Sequence, residues 1–142
     1  MAGRIQREVR PDRVTRAHPE LSALAEPVTD QVKRLREVTE AQLRKHRRDI
    51  PERQFVQKRL SDAVSDIYAQ IAVLSRVSSI FEEHGVEPSG QERYIAETFC
   101  PRAARRVRSN LDQVDTNDDE RMTAIAKLAY KRGEYGYALF DD

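Results

Sequence analysis

The chain of 142 residues allows one domain with one hydrophobic core, burying roughly 70% of the surface that its unfolded form exposes. With 39% hydrophobic and 35% charged residues, five glycines and a net charge of +1, it reads as a helical protein with long solvated faces, and it is neither a basic nucleic-acid magnet nor an acidic scaffold. No run approaches the roughly 20 apolar residues that cross a bilayer, and the single cysteine, Cys100, excludes an internal disulfide.

Residues 1–18 carry Arg4, Arg7, Arg10, Arg13 and Arg16, with Pro11 interrupting any helix, so an extended or partly helical arm is expected. Its opening, MAGRIQREVR, has no apolar h-region, and Glu8 and Asp12 argue against a mitochondrial presequence. The arm reads as a solvated linker. Its functional alternative is attraction of the five arginines to anionic lipid headgroups or another acidic surface.

The first helix is expected from near Pro27 to about Arg48, with Val28, Val32, Leu35, Val38 and Leu43 facing inward, and Pro19 opening a short turn before it. The basic run Arg44 to Arg48 suits the negative end of the helix dipole. No aromatic side chains interleave with those charges, so a stacking platform for bases is missing and no nucleic-acid partner is expected.

A second, long helix should run from about Pro51 to His84, where Gly85 stops it. Its stripe of Leu60, Val64, Ile67, Ile71, Leu74 and Val77 steps by three or four and calls for a partner surface. Asp62 and Asp66 lie four apart, but Lys58 and Arg59 stand at helical distance from Asp62, so surface ion pairs are expected rather than acid–base catalysis. Tyr68 is read as fixing a helix crossing through one buried hydrogen bond.

After a loop from Gly85 to Gly90, a third helix carries Tyr94, Ile95, Phe99, Ala103, Val107 and Leu111, with Pro101 expected to kink it near Glu97 to Cys100. Cys100 reads as a buried, inert thiol. A fourth helix opens at Asp115 to Glu120, capped by Thr116 or Asn117, turns Met122, Ile125, Ala126, Leu128 and Ala129 inward, and ends at Gly133. The tail, residues 134–142, holds Tyr135, Tyr137, Leu139 and Phe140, an apolar set that suggests docking onto this bundle or a neighbouring subunit.

The segment RLSDAVSDIYAQIAVLSR of the second helix resembles the C-terminal helical domain of very-long-chain-type acyl-CoA dehydrogenases, including their assembly-factor relative. His18-Pro19-Glu20-Leu21 is similar to the opening of that domain, and Leu43-Arg44-Lys45-His46 to the end of its first helix. Thr98-Phe99-Cys100 followed by Ala103-Ala104-Arg105-Arg106-Val107 is similar to its third helix, so the resemblance covers roughly residues 18–133.

The resemblance implies an accessory domain, residues 19–133, between the arm of residues 1–18 and the docking tail of residues 134–142. The parent would be an FAD-dependent dehydrogenase of fatty acid β-oxidation, its body bearing the flavin and the domain covering part of that body, favouring a homodimer and supporting membrane association. In the family the proton-abstracting glutamate sits in a Tyr/Phe-Glu-Gly-Thr motif upstream of this domain. That motif does not occur in these residues, and no alternation of strands marks a flavin-binding β-domain. No catalytic, cofactor-binding or metal residues are therefore assigned: the histidines 18, 46 and 84 lie on different elements, and G-x-G-x-x-G, phosphate-loop and nucleophile-elbow motifs are missing. Arg59, Asp62, Asp66 and Arg76, with Tyr137 and Phe140 of the tail, are the expected interface residues. The expected location is cytoplasmic or peripheral to a membrane in a bacterium, and the mitochondrial inner membrane or matrix side in a eukaryote.

The expected fold is all-α, an antiparallel up-down four-helix bundle whose core includes Leu60, Ile67, Leu74, Phe99 and Val107. The alternative function is a free-standing helical interaction module that binds a partner through a groove or through its tail.

Overall fold

The computed structural model describes residues 16–133. A single 3-10 turn, Pro19–Leu21, leads into α1 (Ser22–His46), and a 3-10 segment (Arg47–Glu52) precedes the long α2 (Gln54–His84). A second turn, Glu87–Ser89, opens α3 (Gly90–Asp112), and α4 (Asp119–Arg132) follows a short connection. The described residues contain four α-helices and no strand, in the order that the apolar spacing predicts.

Hydrogen bonds between the first three helices set their directions. His18 near the start of α1 meets Ser78 near the end of α2, while Gln31 meets Gln70, so α1 and α2 run in opposite senses. Glu20 pairs with Arg93 and Arg34 with Asp112, so α3 runs parallel to α1 and opposite to α2. Their shared core consists of Leu21, Ala25 and Val28, then Ala63, Ile67, Leu74, Val77 and Phe81, then Ala96, Cys100, Val107 and Leu111. Each fully buried leucine among them contributes about 1.5–3 kcal/mol through the apolar surface that it removes from water. Ala63, Ala96 and Ala103, all without exposed surface, let α2 and α3 approach closely.

The His18–Leu21 segment has a structural role that its polar first residue conceals. The His18 imidazole stands edge-on against Phe81 with ring centroids 5.3 Å apart, its backbone N–H donates to Ser78 Oγ at 2.9 Å, and its Nδ1 accepts the Glu20 N–H. The start of α1 is thereby fastened to the end of α2.

Several expected boundaries shift. α1 begins at Ser22 instead of Pro27, because the Pro19–Leu21 turn already nucleates it, and ends at His46, where Arg47 adopts φ +47°. Pro51 belongs to the 3-10 segment, so α2 starts at Gln54. α3 is continuous through Pro101, whose ring lies on the exposed side. Gly85 and Gly133, at φ +84° and +76°, end α2 and α4 as expected, since a side chain there would be strained.

The inward faces need larger corrections. Val64, Ile71 and Leu43 are exposed, and Ala63, Gln70 and Gln42 take the buried positions beside them. Tyr68 is 72% exposed and fixes no helix crossing. Tyr94 and Ile95 also face outward, whereas Leu60 and Phe99 pack against the core edge and Ile67, Leu74 and Val107 lie within it. The expected inward face of α4 points to solvent: no α4 residue is buried, and Met122, Ile125 and Leu128 are 53%, 61% and 57% exposed.

Candidate functional site

The polar residues that lie between helices are spent on holding the fold. Arg59 on α2 donates through both terminal nitrogens to the two carboxylate oxygens of Asp119, each at 2.6 Å, with both side chains largely covered. The guanidinium holds the Asp119 carboxyl below the usual carboxylate range, and the same hydrogen bonds raise Arg59 further. Asp66 receives Nε and Nη2 of Arg106 at 3.0 and 2.5 Å, joining α2 to α3. Lys58 reaches Asp62 at 2.5 Å one turn along, as the spacing predicts, but Arg59 turns to Asp119 instead. Arg76 is exposed.

Of the expected interface residues, Arg59, Asp62 and Asp66 thus lie in pairs within this domain, and Tyr137 and Phe140 fall outside the described residues. Arg4, Arg7, Arg10 and Arg13 fall outside them as well, while Arg16 is exposed.

Two polar contacts went unforeseen. Gln70, at 1% exposure among core residues, donates to Gln31 Oε1 at 2.8 Å and to the Asp66 carbonyl at 3.2 Å. Gln42, equally buried, donates to Asp115, which also accepts from Lys45 at 2.7 Å, and its own oxygen meets His46 Nε2 at 3.1 Å. Lys45 and then Gln42 lower the Asp115 carboxyl. The available signal was positional: Gln70 lies three and four residues from Ile67 and Leu74, on the core spacing itself.

A cleft of about 700 Å³ opens between the end of α1, the start of α2 and α4, lined by Lys45, His46, Arg53, Phe55, Thr123 and Lys127 among others. Because Asp119, Thr123 and Lys127 all line it, α4 turns its polar side towards the bundle. Met122, Ile125 and Leu128 consequently face away. A shallower groove of about 530 Å³ follows the outer side of α3, along Tyr94, Ile95, Phe99, Arg102 and Arg106.

These features leave apolar surface exposed on several helices. The Cys100 thiol is buried, and desolvation pushes its pKa up, away from the reactive thiolate. Among the described residues, no group of three or more His, Cys, Asp or Glu side chains is placed to hold a metal ion, and no helix is long and apolar enough to cross a membrane. What the fold presents is apolar side chains on three outer helix faces: Val64, Tyr68 and Ile71 on α2, Tyr94 and Ile95 on α3, and Met122, Ile125 and Leu128 on α4.

Apolar faces left exposed on α2, α3 and α4 among the described residues call for a partner surface. The family described as "ACAD9/ACADV, C-terminal domain" matches residues 19–135. The chain belongs to that family. Among its curated relatives, the very long-chain specific acyl-CoA dehydrogenase of rat mitochondria is 35% identical over 103 residues, covering 72% of this chain and 16% of the relative. The bovine and human proteins of the same name are each 34% identical over 123 residues, covering 82% of this chain and 18% of theirs. The chain spans less than a fifth of the length of these relatives. Membership in the ACAD9/ACADV C-terminal domain family makes it an accessory domain of the acyl-CoA dehydrogenase type.

Proposed function

We propose that this chain is the C-terminal accessory module of an FAD-dependent, long-chain or very-long-chain acyl-CoA dehydrogenase of fatty acid β-oxidation. It performs no catalysis itself: the flavin and the proton-abstracting carboxylate reside in the dehydrogenase body, and this module covers part of that body, supports a homodimer and aids membrane association. In a eukaryote it would work in the mitochondrion, the compartment named for its relatives.

The observation that carries this reading is the orientation of α4. An amphipathic helix folded within one domain would bury Met122, Ile125 and Leu128, yet here an ion pair from Arg59 holds α4 with that face outward. The α3 groove, with Tyr94 and Ile95 beside Arg102, adds a second apolar surface for the same body. Membrane association draws support from Arg16, exposed at the start of the described residues, and from the arginines preceding it.

A chimera tests the proposal: residues 19–135 replace the matching segment of the bovine relative, and the joint is cut by limited proteolysis. The module should stay with the flavin-bearing body through size-exclusion chromatography. Release of an intact helical module from an intact body would overturn docking, and failure of the full 142-residue chain, which carries the arginine arm, to bind anionic vesicles would overturn the membrane role.

A further inference from the structure

The cleft of about 700 Å³ has walls from three elements, the end of α1, the start of α2 and α4. Its apolar part is Phe55, 40% exposed, together with the buried Val56 and Val114. Two of its acids are already neutralised, Asp115 by Lys45 and Asp119 by Arg59. Among the described residues, Arg53 and Lys127 in the lining have no ion pair, and neither do Glu52 and Glu120. Arg47 and Arg48, exposed in the 3-10 segment between His46 and Glu52, add two more cations without a described acid, so the unpaired charge around the cleft is positive. α4 buries no residue of its own, and the Arg59 pair is its described ionic link to α2. A segment filling the cleft would touch all three walls at once and fasten α4 to the bundle.

Residues 134–142, EYGYALFDD, lie outside the described residues and follow directly on α4. They hold three acids, Glu134, Asp141 and Asp142, no basic residue, and the apolar Tyr135, Tyr137, Leu139 and Phe140. Nine extended residues reach about 30 Å, while Lys127 stands six residues before Gly133, only about 9 Å along α4. The order of the chemistry also matches. Glu134 comes first, on the side of Lys127, then the apolar residues, and last the two aspartates for Arg47, Arg48 and Arg53. The arm of residues 1–15 suits the cleft poorly: it carries Arg4, Arg7, Arg10 and Arg13 and joins the start of α1, whose 25 residues set it about 37 Å from the cleft. Shape separates the cleft from the outer sides of α3 and α4. An aromatic ring laid there meets one helix, whereas in the cleft it meets three elements and loses more of its surface to contact.

We propose that the cleft is a docking site for an acidic, aromatic peptide segment, and that its occupant is the chain's own residues 134–142, with Leu139 and Phe140 against Phe55 and the two aspartates at Arg47, Arg48 and Arg53. Attachment through Gly133 gives this segment a high effective concentration at the cleft, ahead of any free peptide. The segment straps α4 to α1 and α2 by its polar side and leaves Met122, Ile125 and Leu128 outward. This inference stands apart from docking on a dehydrogenase body, because it concerns the opposite side of α4.

Paramagnetic relaxation in the full, isotope-enriched chain tests it, with a nitroxide on Asp142→Cys; Cys100 is buried and escapes labelling. Broadening should be strongest at the amides of Arg53 and Phe55 and should spare Tyr94 and Ile95 on α3. Leu139→Ser combined with Phe140→Ser should abolish that focus and leave the circular dichroism of the helices unchanged. Labelled chain mixed with an unlabelled, isotope-enriched copy should transfer no broadening to it. Broadening that the two serines do not alter, or that centres on the α3 groove or on Met122 and Ile125, overturns the proposal. Broadening that passes in full to the second copy overturns it as well, since the tail then seats on a neighbouring chain.

Discussion

Arg59 and Asp119 lie 60 residues apart and form the best-covered ion pair described between helices, so they decide whether α4 stays with the bundle. Removing one partner leaves the other largely covered and unpaired, a loss of about 1.5–3 kcal/mol for hydrogen bonds to charged groups. Arg59→Ala should therefore open α4 locally: its amides lose hydrogen-exchange protection while those of α2 around Leu74 keep theirs. The sign of the pH dependence follows from the lowered Asp119 carboxyl. A depressed acid contributes its stabilisation above the unfolded value of about 4 and loses it as pH falls through the lower, folded value. Asp115, lowered by Lys45 and Gln42, titrates in the same sense, so an acid titration followed by NMR should release the α3–α4 connection and α4 below about pH 4, before the helical core. Gln70 is a different case, since its partner Gln31 is also uncharged. Gln70→Leu alone should cost about 1–3 kcal/mol in urea unfolding by stranding Gln31, and the double change to leucine should recover most of that loss.

α3 carries a proline through its middle and remains one helix. Pro101 offers no N–H to the Glu97 carbonyl, a defect that costs roughly 3 kcal/mol inside a helix, against up to about 1 kcal/mol that proline contributes by stiffening the unfolded chain. Pro101→Ala should accordingly stabilise the domain by about 2 kcal/mol, read as a higher urea midpoint at constant slope. The sequence disclosed the helices because apolar spacing, the prolines at 19 and 51 and the glycines at 85 and 133 are local signals. It disclosed the α2 core less well. The buried line through Ala63, Ile67, Gln70, Leu74, Val77 and Phe81 includes an alanine and a glutamine that hydrophobicity weights lightly, while Val64 and Ile71 outweigh them from the adjacent, outward side. Arg59 had a carboxylate within one turn, so its choice of Asp119 was invisible to local spacing. The apolar stripe of α4 is expected to face inward and faces solvent instead, because periodicity says only that a face needs cover and not which molecule supplies it.

At the scale of the described molecule, three helices share the buried core and the fourth turns its apolar face outward, so the residues that stabilise the core are separate from those on the outer faces. Leu74→Ala, at 1% exposure, should cost about 2–5 kcal/mol and leave the outer faces chemically unchanged. Ile125 and Leu128 are more than half exposed, and a charge placed there meets water in the isolated domain. Ile125→Asp combined with Leu128→Asp should therefore move the thermal stability by no more than about 0.5 kcal/mol for each change. In the chimera with the bovine body the same two carboxylates would have to enter an apolar contact without a partner, and the module should separate from the body once the joint is cut. A pair of aspartates that unfolds the isolated domain would place α4 inside the core after all. A pair that leaves both folding and docking intact would show that the body is held elsewhere, with the α3 groove at Tyr94 and Ile95 as the next surface to charge.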